Sequence, residues 1–134
     1  MIHRIIYIGR WRCDFFFSNV SRDDISSVMD CLEDMGASER MLYECWRKMK
    51  VGGPDGGFTY SRSDKMRTCI SIGPTTSGAE FLDSFTHELR HVADDIATYT
   101  GIDLRGEEVA YITGDTTREL AEVVCRLGCS HCHD

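Results

Sequence analysis

One long amphipathic segment constrains the fold of this chain more than any other. After Gly78, large apolar residues recur at helical spacing and form a stripe that consists of Phe81, Leu82, Phe85, Leu89, Val92 and Ile96. Gly101 follows as a helix stop. The pattern predicts a helix over roughly residues 78–100 that buries one side, and the rest of a small domain must pack against that side.

The polar side of the same helix carries the motif His-Glu-Leu-Arg-His at residues 87–91. Because His87 and His91 are four residues apart, their side chains lie one turn apart on one face. This spacing lets two imidazoles bind one Zn²⁺ ion, with Glu88 as base toward a metal-bound water. The motif therefore predicts a zinc cofactor on His87 and His91 and a catalytic Glu88. The alternative is a solvated helix face that carries two histidines by chance.

Zinc in a catalytic site needs a third protein ligand, and the extended motif with a third histidine is absent. Asp94 and Ala97 stand where its glycine and histidine would be. Glu107 and Glu108, at the start of the next predicted helix, are the candidates. Glu107 is favoured, with Glu108 as the alternative, because it shares a helical strip with the small residues Ala110, Gly114 and Ala121. Close packing of that strip on the motif helix would bring Glu107 to the metal; otherwise both are ordinary helix-start acids.

Shorter patterns predict the elements around this helix. Strands are expected at 2–9 and in the hairpin 58–61 and 67–72, and Phe15-Phe16-Phe17 is a short strand or a buried anchor. Further helices are expected at about 21–36, 38–49 and 107–127. We expect a single α+β domain over residues 1–134, with a small antiparallel or mixed sheet packed on helices. It comprises an N-terminal strand and helical pair (1–51), the hairpin with the motif helix and glutamate helix (57–127), and a Cys/His-rich tail (128–134).

Composition and charge narrow the class of protein. The chain has 134 residues, of which 42% are hydrophobic and 28% charged, as in a globular domain with a core. Asp and Glu outnumber Lys and Arg by 22 to 15, and this net charge of −7 disfavours nucleic acid and anionic membranes as partners. No apolar run approaches a membrane span or a signal peptide, so a cytoplasmic location is expected.

Seven cysteines, an odd number without a secretion signal, favour reduced thiols over a disulfide framework. Three of them, Cys125, Cys129 and Cys132, lie in the tail next to His131 and His133. The tail is expected to bind a second metal, to carry reduced thiols, or to place a thiol or histidine in the open position of the zinc site.

The stretch from Gly57 to Thr117 carries the segments GFTY, CISIG, FTHELRHVADDI and GEEVAYITG. It resembles the zincin metallopeptidases, specifically the gluzincin-like pattern of HExxH followed by a helix-borne glutamate. It is also similar to small zincin-like proteins that phages and mobile elements of gut bacteria encode. The resemblance covers about half of the chain.

The resemblance implies a minimal zincin-like domain that hydrolyses a protein or peptide substrate. Zinc would activate a water, and Glu88 would accept its proton. The resemblance also favours Glu107 as third ligand, and Tyr111, one turn later, becomes the candidate donor to the oxyanion. It implies that the strand Arg67–Ile72 is the sheet edge to which an extended peptide adds, with Cys69 as a core or edge residue. The alternative is a catalytically inactive zincin-fold module of phage or mobile-element origin that binds metal or protein.

Overall fold

A computed structural model describes residues 1–52 and 56–129 of the chain. In these residues the strands are β1 (Ile2–Ile8), β2 (Trp11–Phe17), β3 (Phe58–Arg62) and β4 (Arg67–Ile72). The helices are α1 (Arg22–Asp34), α2 (Glu39–Val51), α3 (Gly78–Thr100), α4 (Glu107–Glu119) and α5 (Ala121–Leu127). The predicted α+β class is confirmed, as are the strands and the helix bounds up to α3 to within a few residues.

The four strands form one mixed sheet in the order β1-β2-β4-β3. β1 pairs antiparallel with β2, β2 pairs parallel with β4, and β4 pairs antiparallel with β3. The prediction that Arg67–Ile72 forms the sheet edge is wrong, because this strand is internal and the two edges are β1 and β3. The five residues from Thr68 to Ile72 are all buried, which is typical of a strand covered on both faces.

Helices cover both faces of the sheet, so the fold has three layers with the sheet in the middle. On one face, α1 and α2 enclose a core of Phe16, Ile25, Val28, Leu32, Met35, Cys45, Met49, Phe58 and Cys69. On the other face, α3, α4 and α5 pack over Ile6, Trp11, Phe15, Phe17, Ile70 and Ile72. Because side chains alternate along a strand, β2 and β4 supply residues to both cores.

Serine caps begin three of the helices. Ser21 forms a capping box with Asp24 at the start of α1, and the side chains of Ser38 and Ser77 accept hydrogen bonds from backbone N–H groups of α2 and α3. α3 ends at Gly101, whose φ of 77° lies in the left-handed region. Leu82 departs from the predicted buried stripe and is exposed.

The predicted single helix over 107–127 is two helices with a turn at Leu120 between them. The threonine hydroxyls of Thr113, Thr116 and Thr117 each donate to the carbonyl four residues earlier. Such bonds compete with the backbone ladder and bend helices. The side chain of Leu120 is buried in the core and holds the turn in place.

The end of α5 lies against the start of α3. A Cβ atom added to Gly78 would lie 2.3 Å from the carbonyl oxygen of Gly128, so this contact requires a glycine at position 78. Cys125 is exposed and Cys129 half-buried, whereas His131, Cys132 and His133 lie outside the described residues. The prediction of a second metal site in the tail therefore stays a prediction. Across the described helices, none combines the length and apolar character that crossing a membrane requires.

Candidate metal centre

His87 and His91 lie side by side on the exposed face of α3. Their ring centroids are 5.0 Å apart and the ring planes are inclined at 73°. Both residues are exposed. The structure therefore brings the two predicted zinc ligands together at the surface, where an ion could reach both imidazoles.

Glu88 lies on the inner side of the same helix turn. It is 7% exposed, and its Oε1 accepts a hydrogen bond of 3.0 Å from the Thr59 hydroxyl of the edge strand β3. Sequence periodicity placed Glu88 on a polar strip, but the structure buries it between α3 and β3. Thr59 was not among the predicted site residues, although alternation along the segment GFTY could have indicated which side chains face the helix.

Gly57 allows β3 and Glu88 to approach each other closely. A Cβ atom at this position would lie 3.0 Å from the backbone oxygen of Ser71 and 3.1 Å from Oε2 of Glu88. Contacts of that length are tighter than side chains normally make, so an alanine would have to displace one of these groups. Gly57 is a second site residue that the sequence did not reveal, because the Gly-rich run around it indicated only a loop.

A cavity of about 230 Å³ joins these groups. It is lined by Lys48, Gly57, Phe58, Thr59, His87, Glu88, His91 and Asp95. A shallower depression next to it shares both histidines and adds Asp83, Thr86 and Arg90. The arrangement combines two imidazoles, a buried carboxylate and an ammonium group, which are the groups that metal binding and proton transfer use.

A chain of hydrogen bonds holds Asp95 at one end of this cavity. The Ser61 hydroxyl donates to Asp95 at 2.8 Å, so Thr68 must donate to Ser61, and the indole of Trp11 donates to Thr68. Asp95 cannot bind one metal ion together with both histidines, because it is eight residues from His87, about 12 Å along the helix axis.

Among the described residues, none is a third metal ligand placed beside the histidines. Within residues 1–52 and 56–129, no group of three or more His, Cys, Asp or Glu side chains is arranged to hold a metal ion. Glu107 and Glu108 are both exposed at the start of α4. Two neighbouring imidazoles fit part of a zinc site, and the described part of the chain does not supply the remaining ligand.

The expected close packing of the small-residue strip on α3 is wrong. Ala110 and Gly114 are exposed, and a Cβ atom added to Gly114 would meet nothing within 4 Å. α4 instead buries Ile112 and Thr116. The face with Ile112 packs inward because burying isoleucine removes more apolar surface from water than burying alanine or glycine would.

Tyr111 is not near Glu88. It is 65% exposed and lines a groove with residues 6–9 of β1 and the following turn. β1 and β3 are opposite edges of the sheet, about 14 Å apart at the usual spacing of strands. The structure therefore gives no support to Tyr111 as the oxyanion donor.

The chain matches no protein-family model, no curated protein and no solved structure.

Proposed function

We propose that the protein is a minimal zinc-dependent metallopeptidase, in which His87 and His91 bind the metal and Glu88 is the general base. One observation carries the proposal: a buried carboxylate lies between the motif helix and the sheet edge, directly beside two exposed histidines. A structural metal site has no need of such a carboxylate, whereas hydrolysis needs a base close to the metal.

The chain's own groups have distinct tasks in this mechanism. A bound zinc ion would lower the pKa of a water and polarise the substrate carbonyl. His87 and His91 would hold the ion. Thr59 donates to Oε1 of Glu88 and so fixes the orientation of the carboxylate, which leaves Oε2, on the Gly57 side, to take the proton and pass it to the leaving amine.

The edge strand β3 is the proposed binding site for the substrate backbone. It pairs with β4 on one side, and its position at the end of the sheet order leaves its other side without a strand among the described residues. An extended peptide can add to such an edge through backbone hydrogen bonds. Thr59 and Gly57 lie on or next to this strand, so a peptide bound there would pass the cavity that contains Glu88.

The third ligand in this proposal is Glu107, with Glu108 as the alternative. Either glutamate requires that the start of α4 moves toward α3 when the metal binds. Both residues are exposed, so such a movement breaks no buried contact of their side chains.

A second candidate function is a metal-binding or protein-interaction module without catalytic activity. The observation that favours a module without catalysis is that no described side chain joins the two histidines as the third ligand that catalytic zinc needs. The two candidates differ in one measurable property, which is the need for the carboxylate of Glu88.

The experiment compares wild type with Glu88→Gln on a peptide library in the presence of Zn²⁺, with products identified by mass spectrometry. Glutamine keeps the shape and the acceptor for Thr59 but cannot take a proton. We expect cleavage by wild type and a loss of about 100-fold or more in the variant, with unchanged zinc content. Glu119→Gln, an exposed glutamate on α4, is the matched control and should cleave like wild type. Equal activity of Glu88→Gln would remove the proposed base, and zinc binding without any cleavage would favour the second candidate.

A further inference from the structure

The sheet face opposite the motif helix contains a cluster of charged groups around one buried carboxylate. Asp14 of β2 is 1% exposed. Its carboxylate accepts hydrogen bonds from Arg12 Nε at 2.9 Å and Arg67 Nη2 at 3.4 Å, and it pairs with His3 Nε2 at 2.9 Å. None of these residues takes part in the proposed hydrolysis, so the cluster needs an explanation of its own.

Arg67 connects this cluster to a cysteine. Its Nη2 lies 3.5 Å from the sulfur of Cys31 on α1, and its Nη1 donates to Asp34. The Nε atom of Arg67 is buried and finds no hydrogen-bond partner in the described part of the chain. The guanidinium therefore has an unused Nε–H donor, and its positive charge lies close to the Cys31 thiol.

Cys31 lies next to a second cysteine. Its side chain packs on the core cluster that contains Cys69 of β4, and Cys31 is half-buried whereas Cys69 is fully buried. The neighbouring thiol of Cys69 lowers the pKa of Cys31, and the charges of Arg67 and Arg12 act in the same direction. Burial and the charge of Asp14 oppose this shift without reversing it.

The other core thiols differ from Cys31. Burial raises the pKa of Cys13 to about 12 and that of Cys45 to about 11. The pKa of Cys69 is also raised, because the neighbouring Cys31 and burial both disfavour its thiolate. Of these four thiols, Cys31 is the one that combines partial exposure, a guanidinium contact and an adjacent thiol.

We propose that Cys31 is an oxidation-sensitive cysteine and that Cys69 is its resolving partner in a reversible disulfide. The oxidant is a hydroperoxide. The thiolate of Cys31 attacks one peroxide oxygen, the O–O bond breaks, and with a proton the products are a sulfenic acid and water or an alcohol. The sulfur of Cys69 then attacks the sulfenic sulfur, loses its proton and releases the hydroxyl group as water. Two thiols and one peroxide thus give one disulfide, and the two sulfur atoms together lose two electrons.

The test treats the full-length protein with hydrogen peroxide and maps its cysteines by mass spectrometry. Cys125, Cys129 and Cys132 are replaced by serine in every sample, so that tail thiols do not contribute. We expect the parent protein to lose two hydrogen masses and to yield a peptide pair linked through Cys31 and Cys69. Cys69→Ser should instead accumulate a sulfenic acid on Cys31 that dimedone traps. Cys31→Ser should give neither product.

Arg67→Gln and Arg12→Gln form a matched pair that tests the role of the guanidinium. Both arginines bond to Asp14, but the contact to Cys31 belongs to Arg67. Alkylation of Cys31 by iodoacetamide should slow several-fold in Arg67→Gln and to a smaller extent in Arg12→Gln, because the charge of Arg12 acts on the thiol without contacting it. Circular dichroism checks that both variants fold. The proposal is overturned if Cys31 gives neither the disulfide nor the dimedone adduct, or if its linked partner is Cys45 instead of Cys69.

Discussion

Two buried carboxylates lie on opposite faces of the same sheet, and their surroundings differ. Asp14 is surrounded by two arginines and a histidine, which use its oxygens as acceptors. Glu88 accepts from the neutral hydroxyl of Thr59 and lines an open cavity next to two exposed imidazoles. A buried carboxylate that is paired with positively charged side chains stabilises the fold. A buried carboxylate with an oxygen that faces a cavity can accept a hydrogen bond or a proton from a bound ligand.

The largest expected difference between the two acids is in stability. Replacing Asp14 by alanine removes the buried acceptor that Arg12, His3 and half-buried Arg67 share, and leaves Arg67 with Asp34 as its acidic partner. The free energy of unfolding should fall by about 3 kcal/mol. Glu88→Gln keeps the bond from Thr59 and should change this free energy by less than about 1 kcal/mol. Urea denaturation followed by circular dichroism measures both variants. Equal losses would mean that the two carboxylates have the same structural role.

Zinc should stabilise the protein through the histidines beside Glu88 and not through the Asp14 cluster. A ligand that binds the native state at 100 times its dissociation constant stabilises it by about 2.7 kcal/mol. Thermal melts with and without Zn²⁺ should show this gain in wild type and lose it in His87→Ala and His91→Ala. His3→Ala, which removes a histidine from the Asp14 cluster, is the control and should keep it.

The same melts can identify the third ligand. Glu107→Gln should reduce the stabilisation by zinc, whereas Glu108→Gln should not. The reverse result would assign the ligand to Glu108, and no effect in either variant would contradict both.

Gly57→Ala should destabilise the contact between β3 and Glu88, with a smaller loss of stability than Asp14→Ala. The added methyl group would crowd Oε2 of Glu88 and the Ser71 carbonyl, so we expect a loss of about 1–2 kcal/mol and reduced peptidase activity. Gly114→Ala is the matched control, because its Cβ meets nothing within 4 Å and alanine favours a helix. If Gly57→Ala changes neither the free energy of unfolding nor the activity, β3 can shift away from α3 without consequence.

The smallest expected effect is on the pH dependence of stability. The pKa of Asp14 is below its ordinary value: burial raises it, but the hydrogen bonds from Arg12 and His3 outweigh burial. A lowered pKa in the native state adds stability above the unfolded pKa of about 3.9, and this stability is lost as pH falls through the native value. The stability difference between wild type and Asp14→Asn should therefore shrink in acid, as urea titrations at several pH values would show. A difference that stays constant from neutral to acidic pH would contradict this.

Local patterns were sufficient to predict most of the helices and strands. The helix that begins near residue 21, the stop at Gly101 and the spacing of His87 and His91 depend on neighbours within a few turns, and each is present in the structure. The hairpin of β3 and β4 was predictable for the same reason. The break at Leu120 was not, because it depends on where that leucine packs.

The order of the strands could not be read in this way. The prediction of an edge strand at Arg67–Ile72 failed because the parallel pairing of β4 with β2 joins segments more than fifty residues apart. Such pairing leaves no periodic signal in either segment. The clustering of Asp14, Cys31 and Arg67 depends on the same pairing and on the packing of α1 against β4.

The amino-acid sequence by itself determined that one helix presents two histidines and a glutamate within a single turn, because helical geometry depends only on spacing. Only the tertiary structure decided what each of them faces. It buries Glu88 against Thr59 and Gly57, leaves the histidines at the surface, and keeps Glu107 exposed on a helix that packs through Ile112. The physical reason is that burial is set by the competition of all apolar surfaces for one core, which no local stretch of the chain contains.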